Sequence, residues 1–171
     1  MVFIGVEGKS DRAFVRFLGH ICDDERLHLH LDIKPGGGGD SLAVVETARR
    51  RLRKHPDPRS ISKRLVLLDS DRMEADREAD RDARAKASKW GIEVVLINPN
   101  LEGLLVRLHE GHETRLISAS DAARALRKLW PDYQNGWLTA KQLKRRFDFK
   151  DVRRAARHDE ALRKLLELLG L

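Results

Sequence analysis

Cysteine is nearly absent. Cys22 is the one thiol in 171 residues, so no internal disulfide can form and zinc sites built on several cysteines are excluded. A reducing, cytoplasmic setting fits, with Cys22 read as a small buried apolar residue on a helix. Aromatic residues make up 5% of the chain against 36% charged, the composition of a soluble, heavily solvated protein. Long hydrophobic runs are missing as well. None approaches the roughly 20 residues of a membrane span, and the opening MVFIGVEGKSD lacks both the basic start and the apolar length of a secretory signal. No internal repeat, low-complexity tail or GxxxxGK[ST] phosphate loop occurs.

Charge is present in excess of one sign, and unevenly. Met1 to Glu113 carries 20 Lys and Arg against 20 Asp and Glu, while Thr114 to Leu171 carries 14 against 7, so the whole net charge of +7 lies in the C-terminal third. A basic segment beside a neutral body points to a polyanionic partner, because phosphates attract Lys and Arg whatever the base sequence. A solvated basic surface that only aids solubility explains the charge equally well.

The hydrophobic pattern predicts an α/β fold: a parallel sheet of about four strands with flanking helices over residues 1–112, then a basic helical extension over 113–171. Val2 to Val6 is an apolar, β-branched strand. Ser10 is the expected cap of a helix carrying Ala13, Phe14, Phe17, Leu18 and Ile21. LHLHLDI, residues 27–33, alternates and predicts a half-exposed second strand with His28 and His30 on one face. KPGGGGD follows, with Asp40 or Ser41 capping a helix from about Leu42 to Lys54. KRLVLLDSD is the third strand, MEADREADRDARAKASKW an exposed helix rich in spaced charge pairs, GIEVVLINPN the fourth strand and LEGLLVRLHEG a short helix. SASDAARALRKLW with Ser120 as cap, LTAKQLKRRF and a last amphipathic stretch complete the extension. Trp90, Trp130 and Trp137 are expected in the core or in helix packing.

LVLLDSDR, residues 65–72, ends an apolar strand in two carboxylates. Side chains alternate on an extended chain, so Asp69 and Asp71 are expected on one face, where like charges repel unless a proton or a cation is shared. An isolated pair of this kind is most simply a solvated strand end. In a parallel sheet, however, ligands bind outside the carboxyl ends of the strands. That rule gathers Glu7 after the first strand, Asp11 one turn into the first helix, Asp69 and Asp71 after the third strand and Glu102 after the fourth. Each of Glu7, Asp11 and Glu102 has a local explanation as well: Glu7 as a cap of the first helix or a partner of Arg12, Asp11 and Glu102 as helix-start acids, and for Asp11 that explanation is the stronger one. Together, five carboxylates on one edge call for divalent cations, and all-oxygen ligation suits Mg²⁺ or Mn²⁺.

VFIGVEGKSDRAF and LVLLDSDR, in that order, resemble the Toprim fold, whose signature is a Glu after the first strand and a DxD after the third. VEGxSD followed by NPNLEGLL is most similar to the Toprim proteins of the OLD-nuclease and RloB-like groups, which are associated with defence against phage. The likeness covers roughly Met1 to Gly111. It implies that Glu7 is a metal ligand or the general acid/base, that Asp69 and Asp71 hold Mg²⁺, that Asp11 matches a second-metal position and that Glu102 matches the Glu of an NPxxE segment. The activity expected is hydrolysis of a nucleic-acid phosphodiester; read from the residues, two metal ions would activate the water and stabilise the leaving oxygen, with Lys9 neutralising developing charge. Many OLD-type proteins use an ATPase domain, which here would have to come from a partner.

Around that edge, Lys9 and Arg12 are placed to hold a phosphate, with Arg72, Lys144, Arg145 and Arg146 as further nucleic-acid contacts. The GGGGDS loop fits a phosphate contact less well than a flexible turn. His109 and His112 lack the context of a zinc site. Two other functions fit parts of the pattern: a Toprim-like module that binds nucleic acid or a partner without catalysis, and a DxD phosphotransferase with Asp69 as nucleophile. The second places its DxD strand first, which this chain does not.

Overall fold

The structure, a computed structural model, describes residues 1–27, 29–35, 40–71, 77–134 and 136–171, apart from the side chains of Pro35 and Arg77. His28, the four glycines of the KPGGGGD loop and Arg72 therefore lie outside the described residues. In chain order the elements are β1 (Val2–Val6), α1 (Lys9–Asp24), β2 (Leu31–Pro35), α2 (Ser41–Arg53), a 3₁₀ turn at Pro58–Ser60, β3 (Lys63–Asp69), α3 (Arg77–Lys89), β4 (Glu93–Ile97), α4 (Leu101–Arg107), α5 (Ala119–Leu129), α6 (Ala140–Arg146), α7 (Phe149–Ala156) and α8 (Glu160–Leu169). Among the described residues, no helix is long and apolar enough to cross a membrane.

The sheet is parallel throughout, in the order β2-β1-β3-β4. From β1 the chain first crosses to β2 on one side, then returns over β1 to β3 on the other. Right-handed crossovers in opposite directions put their helices on opposite faces. Accordingly, Phe14, Phe17 and Leu18 of α1 pack with Val2, Ile4, Val6, Leu65 and Leu67, whereas Val44, Val45 and Ala48 of α2 and Ala83 and Ala87 of α3 pack with Phe3, Val66 and Leu68. Alternation along β1 and β3 divides the two sets. Gly5 permits the close seat of α2: a Cβ there would lie 2.9 Å from Val66 Cγ1 and 3.1 Å from Ala48 Cβ.

The helices after β4 complete the α1 face. Leu126, Leu143, Val152, Leu165 and Leu169 belong to the same buried cluster as Ile4 and Leu67. Aliphatic side chains supply most of this core, each worth about 1.5–3 kcal/mol on full burial.

Several local expectations shift. β2 begins at Leu31, not Leu27, because β1 is five residues long and its register pairs Val2 with Leu31 and Val6 with Pro35. The preceding residues end α1 instead: Arg26 takes φ 59°, its N–H donates to the Asp23 carbonyl at 3.0 Å and the Leu27 N–H to the Cys22 carbonyl at 2.8 Å, a Schellman closure. The cap of α1 is Gly8 and not Ser10, and α5 starts after Ser118 and not Ser120. β3 stops at Asp69, with Ser70 and Asp71 already helical. Trp130 is buried and Arg49 covers the Trp90 ring at 4.0 Å, but Trp137 is 76% exposed, not in the core.

A buried ion pair ties α4 to the start of α8 and both to the loop after β4. The Arg107 guanidinium donates through Nε at 2.9 Å and Nη2 at 2.6 Å to Asp159 Oδ2, and Nη2 also donates to the Asn98 carbonyl. Both side chains are about nine-tenths buried, and Asp159 Oδ1 caps α8 by accepting from the Leu162 N–H at 2.9 Å. Removing one partner strands the other charge in the interior. Asp159→Ala is expected to cost about 3–5 kcal/mol in urea unfolding, with Arg107→Met/Asp159→Leu recovering most of that loss.

Candidate functional site

The order β2-β1-β3-β4 makes the β1/β3 junction the point where successive connections diverge, leaving a crevice outside the carboxyl ends of those two strands. Glu7 is the residue after β1 and Asp69 the last of β3. Asp69 continues the Leu65 and Leu67 side of its strand, the face that α1 covers. Asp11, at the N-terminal turn of that helix, accepts the Gly8 N–H on Oδ2 at 2.8 Å and so helps to start α1. Glu7 and Asp11 are each only 8% exposed.

Asp71 reaches the same place by a turn and not by strand alternation. Its N–H donates to the Pro99 carbonyl at 3.0 Å, and the Ser70 hydroxyl donates to Asn98 Oδ1 at 3.3 Å, so the loop after β4 takes over the chain as β3 ends. That loop also aims Glu102. Asn100 caps α4 by accepting the Gly103 N–H at 3.0 Å, which puts Glu102 in the first helical turn. Gly103 is required there, since a Cβ would stand 2.6 Å from Pro99 Cδ.

The electrostatics of Asp69 reflect these neighbours. Burial, followed by the carboxylates of Asp11, Glu7, Asp71 and Glu102, pushes the Asp69 carboxyl up to about 8. Four acids spread from residue 7 to residue 102 thus act on Asp69 at the switch point. Among the described residues, Asp71 Oδ1 and Arg12 Nε are buried without a hydrogen-bond partner. Among the described residues, no three His, Cys, Asp or Glu side chains already form a group that could hold a metal ion. The donor set nonetheless fits a hard cation: oxygen only, several formal negative charges, and one carboxylate oxygen, Asp71 Oδ1, buried without a donor among the described residues.

Tyr133 is a member of this site with no sequence pattern to announce it. Its buried hydroxyl donates to Glu102 Oε1 at 2.8 Å, and burial together with the Glu102 carboxylate raises the phenol well above its usual range. It arrives from the break between α5 and α6, 31 residues after Glu102. Being the sole tyrosine was its only distinction in the sequence.

The expected cations are dispersed. Lys9 is exposed on the first turn of α1 and Arg12 is partly buried one turn on, both at the acidic end of that helix. Lys144 instead pairs with Asp24 at 2.7 Å, at the far end of α1, roughly 20 Å along the axis from Asp11. Arg146 donates to His109 Nε2 at 3.2 Å and to the Leu129 carbonyl, fastening α6 to α5. Arg145 is exposed on α6. Arg72 and the glycines at 37 and 38 fall outside the described residues.

No family model, curated protein or solved structure matches this chain.

The raised Asp69 gives a pH signature. With a folded value of about 8 and an ordinary value of 3.8, the folded protein keeps a proton that the unfolded chain releases. The resulting stabilisation is complete below about 3.8 and is lost as pH rises through about 8. In EDTA, the melting temperature is expected to fall across that interval, and Asp69→Asn to flatten the slope; an equally steep slope in the variant would assign it to other groups.

Proposed function

We propose that this protein is a divalent-cation-dependent phosphodiesterase acting on nucleic acid, a nuclease of Toprim type. The observation that carries the reading is the crowding of four carboxylates around a buried Asp69, whose carboxyl is pushed up to about 8 first by burial and then by those neighbours. Such a cluster is costly to assemble unless a cation shares it. Glu7, Asp11, Asp69, Asp71 and Glu102 are the residues that would hold Mg²⁺ or Mn²⁺. Bound there, the ions would supply charge stabilisation for a phosphoryl group and ease deprotonation of water.

The chain's own groups take complementary parts. Glu7, at the end of β1, accepts the proton of the attacking water. Lys9, whose ammonium is exposed beside the acidic edge, binds a non-bridging phosphate oxygen, and Arg12 sits one helical turn away from it. Tyr133 keeps Glu102 from swinging out, through its 2.8 Å hydrogen bond. The surplus of 14 basic over 7 acidic residues after Glu113 provides attraction for a nucleic-acid backbone. A part in phage defence is implied by the Toprim resemblance alone.

Calorimetric titration of Mn²⁺, paired with plasmid and RNA cleavage, tests this. Wild type is expected to bind and cut, and Asp69→Ala/Asp71→Ala to do neither. Metal binding that is absent from wild type would reject the reading. Retained, salt-dependent nucleic-acid binding with no cleavage by wild type would make the protein a non-catalytic binding module.

Tyr133→Phe keeps the ring and deletes the donor to Glu102. Loss of such an outer partner is expected to weaken Mn²⁺ binding roughly 10-fold, with the fold unchanged by circular dichroism. An unaltered titration would show that Glu102 needs no such support.

A further inference from the structure

We infer that Trp137 is a stacking platform for an unpaired base, and that the nucleic acid presented to the carboxylate edge is single-stranded or locally unpaired. The inference rests on the nuclease reading for its catalytic consequence but not for the binding itself.

The three indoles have different surroundings. Trp130 is 7% exposed within the helical cluster, and the Arg49 guanidinium covers Trp90, whereas Trp137 is 76% exposed. An indole carries one of the largest apolar surfaces available to a side chain, and leaving it in water forgoes that burial. The exposure is built in and not a frayed end. The Trp137 N–H donates to the Gln134 carbonyl at 3.2 Å, and Gly136 takes φ 78°, a conformation that few other residues adopt. Buried Tyr133 and Leu138 pin the chain on either side.

Position links the indole to the acidic edge. Tyr133 touches Glu102, and the Trp137 Cα, four residues on, lies at most about 14 Å from that of Tyr133. Charge then selects the partner. Residues 124–146 hold seven Lys and Arg against Asp132 as the sole acid; of these, Arg124 pairs with Asp121, Lys144 with Asp24, and Arg146 bonds His109 and the Leu129 carbonyl. Arg127 and Lys128 end the helix before the turn, Lys141 and Arg145 lie on the helix after it, and all four are exposed. An aromatic ring set among lysines and arginines is the combination that holds single strands, with bases on the ring and phosphates on the cations. Protein interfaces, in contrast, are depleted of lysine at their cores. A base within a duplex is already stacked on both faces, so a lone surface indole gains a partner only where a base is unpaired.

The test uses the full chain in EDTA, so that no substrate is consumed. Oligothymidylate, oligouridylate and a blunt duplex are titrated against the tryptophan emission of wild type, Trp137→Ala and Trp137→Phe, with circular dichroism confirming the fold of each. Either single strand, or both, is expected to quench the exposed indole of wild type. Trp137→Ala, read by anisotropy of labelled strands, is expected to bind that strand on the order of 10-fold more weakly, Trp137→Phe to recover part of the loss, and duplex binding to be the same in all three.

Equal single-strand affinity in wild type and Trp137→Ala would overturn the proposal, as would duplex binding that depends on Trp137 to the same extent. So would the absence of quenching by any oligonucleotide, which would leave the indole to a protein contact. Cleavage with Mg²⁺ on the same preparations separates the two readings. Trp137-dependent binding without cleavage sustains the platform and rejects the nuclease, whereas cleavage with affinity indifferent to Trp137 does the reverse.

Discussion

The buried guanidinium of Arg107 fastens the acidic edge to the helices that close over the sheet. It binds the Asn98 carbonyl, at the end of β4, and the Asp159 carboxylate, which in turn caps α8. The loop anchored in this way receives the Asp71 N–H and the Ser70 hydroxyl and starts the helix that carries Glu102. Two of the five carboxylates therefore depend on a contact made by a residue 52 positions from its partner. A buried pair of this type adds little net stability over an apolar substitute, because desolvation offsets most of the attraction. Its contribution is specificity of arrangement: one fixed seat for the Asn98–Asn100 loop.

Against that fixed frame stands the repulsion among the acids. Backbone geometry sends Glu7, Asp69 and the turn at Asp71 to the same crevice, and α1 and α4 add Asp11 and Glu102 from their first turns. Hydrogen bonds relieve part of the strain, with Gly8 N–H on Asp11 and the Tyr133 hydroxyl on Glu102. The proton retained by Asp69 relieves more. A divalent cation would replace that proton, and this exchange is the physical link between the apo electrostatics and the proposed chemistry.

Much of the fold was legible from hydrophobic periodicity. The four strands, the α/β alternation and the helical C-terminal third follow from runs such as Leu65–Leu68 and from the spacing of Phe14, Phe17 and Leu18. Boundaries were less so. The alternating pattern of 27–33 is a real strand signal, but β2 takes its position from pairing with β1, and pairing is not encoded in the local run. The likeness of Asp69 and Asp71 on an extended strand was similarly superseded: the acids converge, but through a turn seized by the Pro99 carbonyl.

The sequence by itself determined the classes of side chain available to the site, the carboxylates at strand ends and helix starts, and the concentration of positive charge after Glu113. These are properties of composition and local order, which short-range physics reads directly. Only the tertiary structure decided which of these groups meet. It brought Tyr133 onto Glu102, drew Lys144 away to Asp24 and Arg146 to the end of α5, and left Trp137 in solvent. The reason is that such contacts are set by how separate helices pack over a shared apolar face, a long-range balance in which no residue's own neighbours in sequence have the deciding share.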